Sequence, residues 1–328
     1  MKNKVEGLDT IRAVMAIVVM LGHVRFLNIA DDILLQFPYL KFVNLLINNI
    51  FPGKIAVIVF FVLSGFCIHY PYAQGKILQI KSFYFGRVVR LGIPAIIALL
   101  IFKETQYVIW SVVCELVYYF LYPLILKVYK KYFWPLFIFS VCCAYGISIW
   151  YDQLHPYNGD FDQNGYYLDW IVGLPIWLLG TFLATIYTQS ELNFRLPPLN
   201  INYLRISTWA LAFLLSICRF QLHWGYTYTL PVFAIWVCFW MYFEIKNYES
   251  HKENPYLAYI GKISYSIYLI HGGIFGICMY FFQIPKLGYS FLATVLGIVF
   301  TMLASAVYYI IVESPSHKLS KNKNPLSF

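Results

Sequence analysis

An arginine, ten residues and then a histidine stand in the first apolar stretch of the chain, GLDTIRAVMAIVVMLGHV, Gly7 to Val24. At about 100° and 1.5 Å per residue, Arg12 and His23 fall within roughly 20° of one helical face and about 16 Å apart. Asp9, three residues before Arg12, is its nearest local charge partner. A histidine near neutrality can take a proton from a hydroxyl nucleophile or itself accept an acyl group. It works best where water is scarce and a second group fixes its tautomer. An ionisable residue within a membrane span is a functional candidate by default, because burial there is costly without a partner or a cavity. The plain alternative for Arg12 is a side chain that snorkels to lipid phosphates, and for His23 a neutral ring satisfied by a neighbouring helix.

Further candidates stand along the chain. In FFVLSGF, Phe60 to Phe66, Ser64 and Gly65 put two small residues in a bulky run, which close helix packing explains more readily than a serine nucleophile. Arg87 and Arg90 share a helix face ahead of Pro94; they suit the phosphates of a nucleotide-bearing donor, and topology signalling accounts for them as simply. Glu115, near Trp110 in WSVVCELVYYFLYP, needs a cation or donor beside it. His271, in ISYSIYLIHGG, is expected to be a second buried histidine, and Glu313 in VESP to end the last span before Pro315. Asp152, Asp160, Asp162 and Asp169 lie in a loop rich in Tyr, Gly and Asn, a composition suited to sugars and also ordinary for a loop. No GxSxG elbow or Ser-His-Asp frame is present. The seven cysteines fall in apolar runs without CxxC spacing, as small buried residues and not as metal ligands.

The elements that must position these residues are membrane spans. The chain has 328 residues, 60% hydrophobic, 20% aromatic and 12% charged, with mean hydropathy +0.65. Those values lie outside the usage of soluble domains and predict an all-α, polytopic membrane protein embedded in a lipid bilayer. Apolar runs at 6–26, 55–72, 84–102, 106–126, 133–151, 167–187, 204–221, 226–245, 257–282 and 289–311 make about ten transmembrane helices. The net charge of +9 reflects loop lysines and arginines and not a nucleic-acid partner. Seventeen of these residues fall on the side of the N-terminus and six on the other, with Arg12 left in the first span, which puts both termini in the cytoplasm. Ile33 to Ile50, with Pro38, Lys41 and three asparagines, reads as an interfacial or re-entrant helix, because crossing would invert that distribution. Arg12 interrupts any signal-peptide core, so the first helix is expected to be retained. The whole of 1–328 is expected to be one integral membrane domain, with 313–328 a short basic cytoplasmic tail.

In this order, GLDTIRAV…LGH, FFVLSGF, RVVRLGIP, WSVVCELVYYFLYP, ISYSIYLIH and VESP, the motifs make the chain resemble the acyltransferase 3 family. Those integral membrane proteins typically acetylate sugars of bacterial surface polysaccharides, peptidoglycan or exported glycoconjugates. Thr10 stands where the family often has glycine, the loop at 102–105 is short, and no fused extracellular hydrolase-like domain is seen. The resemblance implies His23 as the catalytic histidine, base or acyl carrier, with Arg12 as its essential companion. It implies acetyl-CoA or another acyl-CoA as co-substrate, with Arg87, Arg90 and Glu115 as further candidates; on the residues themselves, Arg87 and Arg90 are expected to bind that donor, Asp9, Ser64, Glu115 and His271 to support the site, and no metal is expected. The implied acceptor is a carbohydrate, whether surface polysaccharide, peptidoglycan or lipid-linked glycan. The implied location is the plasma (inner) membrane of a bacterium, with no oligomeric state indicated. The alternative function on the same features is a transporter or flippase of lipid-linked glycans.

Overall fold

Gly7 turns the chain into the first helix with a φ of 88°, a left-handed conformation that favours glycine, and its N–H meets the Glu253 carboxylate at 2.5 Å. The computed structural model describes residues 5–23, 37–155, 160, 167–189, 200–282 and 291–321, and every regular element among them is helical. Asp9 in the first turn of α1 (Leu8–Gly22) suits the positive end of the helix dipole. The helix stops at His23, its C-cap, so the histidine stands at the helix end and not within it.

The helix α2 (Pro38–Asn48) opens on proline and has 11 residues, about 16 Å of rise, which is half of what a crossing needs. Its Tyr39 and Phe42 are 65% and 62% exposed, as an interfacial helix would leave them. Next come α3 (Gly53–Ala73), α4 (Ile80–Ile101), a 3₁₀ turn at Lys103–Tyr107 and α5 (Ile109–Leu154). At 46 residues α5 is about 69 Å long, two bilayer crossings, and its backbone breaks at Tyr132 (φ −125°, ψ 23°). The two spans expected at 106–126 and 133–151 are therefore legs of one bent helix, without a loop between them.

The chain continues through α6 (Asp169–Thr188), α7 (Ile201–Gln221), α8 (Tyr226–Ser250), α9 (Pro255–Lys262), α10 (Ser264–Phe282) and α11 (Phe291–Tyr308). It ends, within the described residues, in a π turn at Tyr309–Glu313 and α12 (Ser314–Ser320). Among the described residues eight stretches are long and apolar enough to cross a membrane, one of them the double-length α5. The protein is a polytopic all-α membrane protein. Among the described residues, the span expected at 6–26 is helical over Leu8–Gly22. The one expected at 257–282 is two helices, because Asn254 caps a new start at Pro255 and Ile263 interrupts the run before Ser264. Lys2, Lys4, Arg25, Asp162, Arg195, Lys286 and Lys323 lie outside the described residues.

At the centre is α3, with 13 of its 21 residues buried. It lies so close to α6 that a Cβ on Gly65 would overlap the Trp177 carbonyl, and one on Gly180 the Val62 carbonyl. Small residues at these positions let two backbones touch, and in lipid this close packing drives helix association. The core around them is aromatic, with Phe61, Phe66, Tyr118, Tyr122 and Trp177 all almost fully buried. A second close approach, Gly261 against the Asp9 carbonyl, brings α9 onto the start of α1.

Candidate functional site

Arg12 leaves α1 towards α3. Its Nη1 donates to Asp9 Oδ1 at 2.8 Å, and its Nη2 donates to Cys67 Sγ at 3.1 Å. The guanidinium faces an internal cavity and does not snorkel along the helix exterior. Cys67, expected to be a passive buried residue, lines the same cavity.

That cavity, about 740 Å³, is within the size range of small-molecule sites. Asp9 and Arg12 come to it from α1, Ser64 and Cys67 from α3, Arg87 and Arg90 from α4, and Ser111, Glu115 and Tyr119 from α5. Its remaining wall includes Lys262, Ser264, Tyr265 and Tyr268, and, from the C-terminal segment, Glu313, His317, Lys318 and Lys321. Six Lys and Arg side chains face three carboxylates in this lining, so the cavity attracts anions. Glu115 lies within electrostatic range of Arg12, Arg87 and Arg90 and bonds to Ser64. Ser64 itself is buried, with Tyr119 Oη at 3.1 Å and Trp177 Nε1 at 3.3 Å, and serves as a polar joint between α3, α5 and α6. Glu313 accepts from Ser266 Oγ at 2.6 Å, tying the π turn to α10 in place of a mere helix stop. Arg87 stacks over the rings of Phe83 and Tyr119, 5.6 and 5.8 Å from their centroids.

The two histidines stand outside this cavity and touch one another. His271 Nδ1 lies 3.1 Å from the Ile267 carbonyl and 2.9 Å from that of Tyr268. A carbonyl can only accept, so this nitrogen carries the proton and His271 Nε2 carries the lone pair. His271 Nε2 is 3.3 Å from His23 Nδ1, which also faces the Val19 carbonyl at 2.8 Å. His23 Nδ1 is thus a donor with two acceptors, and its Nε2 is the basic nitrogen. His271 is 1% exposed, whereas His23 is exposed at the end of its helix. Phe60 and Tyr268 line the cavity with their rings edge to face at 6.2 Å, and the Tyr268 ring also meets that of His271 at 6.3 Å.

Of the residues singled out from sequence, Asp9, Arg12, Ser64, Arg87, Arg90 and Glu115 converge on one cavity, and His23 pairs with His271 beyond its end. Cys67, Tyr268 and the C-terminal cations had no signal beyond their neighbours' motifs. The loop carboxylates divide differently: Asp160 binds Lys54 Nζ and Arg219 Nε, both at 3.0 Å, and Asp169 is 1% exposed in the first turn of α6. Among the described residues no group of three or more His, Cys, Asp and Glu is placed to hold a metal.

A family model described as an acyltransferase domain matches residues 5–103 and 100–310. Proteins named "Putative O-acetyltransferase" in Staphylococcus aureus strains COL, MSSA476 and MRSA252 are each 25% identical over 335 residues, covering 81% of this chain and 53% of the relative. The chain therefore spans about half the length of the curated relatives it matches. No solved structure matches the chain.

Proposed function

The chain belongs to the acyltransferase 3 family, and from that premise we propose that it is a membrane O-acyltransferase. It transfers an acyl group, acetyl in the simplest case, from acyl-CoA to a hydroxyl of a cell-surface or exported carbohydrate. The whole of 1–328 works as one integral membrane unit in the plasma membrane, with both termini cytoplasmic, as the distribution of lysine and arginine favours.

The observation that carries this reading is the position of His23 Nδ1, 2.8 Å from the Val19 carbonyl and 3.3 Å from His271 Nε2. With Nδ1–H held by the Val19 carbonyl and His271 Nε2, the Nε2 lone pair is available to an acceptor hydroxyl. As Nε2 takes the hydroxyl proton, the oxygen attacks the thioester carbonyl, the C–S bond breaks, and the proton passes to the departing CoA sulfur. The products are an ester and free CoA. The imidazolium formed midway keeps two acceptors on Nδ1–H, which favours His23 as a base over His23 as an acyl carrier. Orienting groups of this kind, one step removed from the reacting atoms, fix ring direction and raise basicity.

Arg12 has a different task. Held by Asp9 and directed at the cavity, it supplies fixed positive charge along the path of a donor's pantetheine arm. Arg87 and Arg90, on one face of α4, bind the donor's phosphates at the cavity's basic end. The acyl end then passes the Phe60 and Tyr268 rings to meet His23.

Mass spectrometry of surface glycans tests the reading. In a deletion strain complemented with His23→Ala at normal protein level, the glycan is expected in normal amount but without its base-labile ester. Full esterification in that strain rejects the enzyme reading, and loss of the whole glycan indicates export instead.

A further inference from the structure

The chain past the last span looks in sequence like a topology signal, SPSHKLSKNK, and sequence alone gives its lysines no other task. Its placement gives them one. The π turn at Tyr309–Glu313 inserts into the end of the last membrane helix, a local irregularity that shifts the register of the residues beyond it. The helix α12 then lies antiparallel on the first turns of α4. Ser316 Oγ donates to the Val89 carbonyl at 2.6 Å, and a Cβ on Gly86 would lie 3.2 Å from the Ser320 carbonyl oxygen. Val89 sits between Arg87 and Arg90, so α12 is pinned beside the two arginines already assigned to the donor.

The cations of α12 consequently face the cavity and not the open solvent alone. Lys318 and Lys321 line it together with Lys262, Arg87 and Arg90. His317, half-buried between them, lies within electrostatic range of Arg87, Arg90 and Lys321. The one carboxylate of this segment, Glu313, accepts from Ser266 and lies within electrostatic range of Arg12 and Arg90, while α12 itself carries no carboxylate beside its lysines. Like charges that share one cavity raise one another's energy unless an anion joins them, and several such cations on three elements suit a polyanion better than one phosphate.

We propose that Lys318 and Lys321, with Lys262, form a ledge that binds the ribose 3′-phosphate of the acyl donor, while Arg87 and Arg90 hold its diphosphate. The ledge thereby selects CoA thioesters over thioesters without that phosphate. This rests on the donor assignment made above and extends it to a segment outside the motif set.

The test is equilibrium binding of acetyl-CoA and acetyl-3′-dephospho-CoA to the full chain in phosphatidylcholine nanodiscs. The native protein is expected to favour acetyl-CoA by about tenfold, the scale of one charge-assisted hydrogen bond, with the preference shrinking as salt rises. Lys318→Ala/Lys321→Ala should bind both forms as weakly as the native protein binds the dephospho form. Lys318→Arg/Lys321→Arg should keep the preference and so report a folded protein, and Lys131→Ala, outside the cavity, should match the native protein. Equal binding of both forms by the native protein, or a preserved preference in the alanine variant, overturns the ledge while leaving the donor intact. No binding of either form removes the donor assignment and the ledge with it. If the native protein shows no preference but the alanine variant loses co-purifying phosphatidylglycerol, the cations serve a lipid headgroup and the proposal fails.

Discussion

His271 Nε2 lies 3.3 Å from His23 Nδ1, and the backbone carbonyls of Ile267 and Tyr268 decide which of the two rings donates. Removing His271 takes one of the two acceptors from His23 Nδ1–H and frees the ring to turn. His271→Phe keeps an aromatic ring of similar bulk without the acceptor. It should lower kcat by about 10- to 100-fold, the usual cost of losing such an orienting partner, with KM for acetyl-CoA nearly unchanged. A kcat equal to that of the native enzyme would show that the Val19 carbonyl alone suffices. His23→Ala should lose essentially all transfer.

The contact between Arg12 and Cys67 offers a direct view of the cavity. Cys67 lines it at 3.1 Å from the guanidinium, whereas Cys114 is buried in the helix bundle. A water-soluble maleimide should therefore modify Cys67, and saturating acetyl-CoA should slow that reaction several-fold. Cys67→Ser provides the blank for counting other labelled thiols. An unchanged rate with acetyl-CoA present would place the donor elsewhere. Arg12→Lys should bind acetyl-CoA more weakly, because a single ammonium cannot reproduce the planar, two-sided contact with Asp9 and Cys67.

Local features were legible from sequence where their cause is local. Apolar runs of sufficient length gave the membrane helices, and the three-residue spacing from Asp9 to Arg12 gave an ion pair that is present at 2.8 Å. The features that could not be read depend on contacts between distant segments. Cys67 meets Arg12 across 55 residues, and His271 meets His23 across 248. The lysines of α12 look like a topology signal until the π turn and Ser316 fold them against α4. The loop carboxylate Asp160 has a composition that suits sugars, yet it joins Lys54 to Arg219. His23 was placed on the correct helix, but its exposure depends on where that helix ends, and Gly22 gives no strong stop signal in an apolar run.

The contact between α3 and α6 should tolerate no added methyl group. At Gly65 a Cβ would overlap the Trp177 carbonyl, and backbone cannot move aside as a flexible side chain does. Gly65→Ala should cost about 3 kcal/mol, at the upper end of overpacking effects, read as a fall in thermal midpoint in mild detergent. Gly146→Ala, with no neighbour within 4 Å, is the control and should be neutral or slightly stabilising, since glycine disfavours a helix interior. Equal midpoints for the two variants would show that the helices pack less closely than described.

Phe60 and Tyr268 line the anion-binding cavity, and Tyr268 also touches His271, the partner of His23, at 6.3 Å between ring centroids. Tyr268 is held by Ser111 Oγ at 2.6 Å and by the Val108 carbonyl at 3.0 Å, while Phe60 contributes only its ring at 6.2 Å. Phe60 is thus the side whose removal opens a passage without breaking hydrogen bonds. A water-tight partition would protect the thioester until an acceptor arrives, because exclusion of water suppresses hydrolysis of a reactive group. Phe60→Ala should therefore raise acetyl-CoA hydrolysis in the absence of any acceptor several-fold above the native rate, with KM for acetyl-CoA little changed. Combining it with His23→Ala should abolish the excess, since the water admitted still needs the base. Hydrolysis that stays at the native level in Phe60→Ala would mean that the rings do not separate donor from base, and that the thioester reaches His23 by another route.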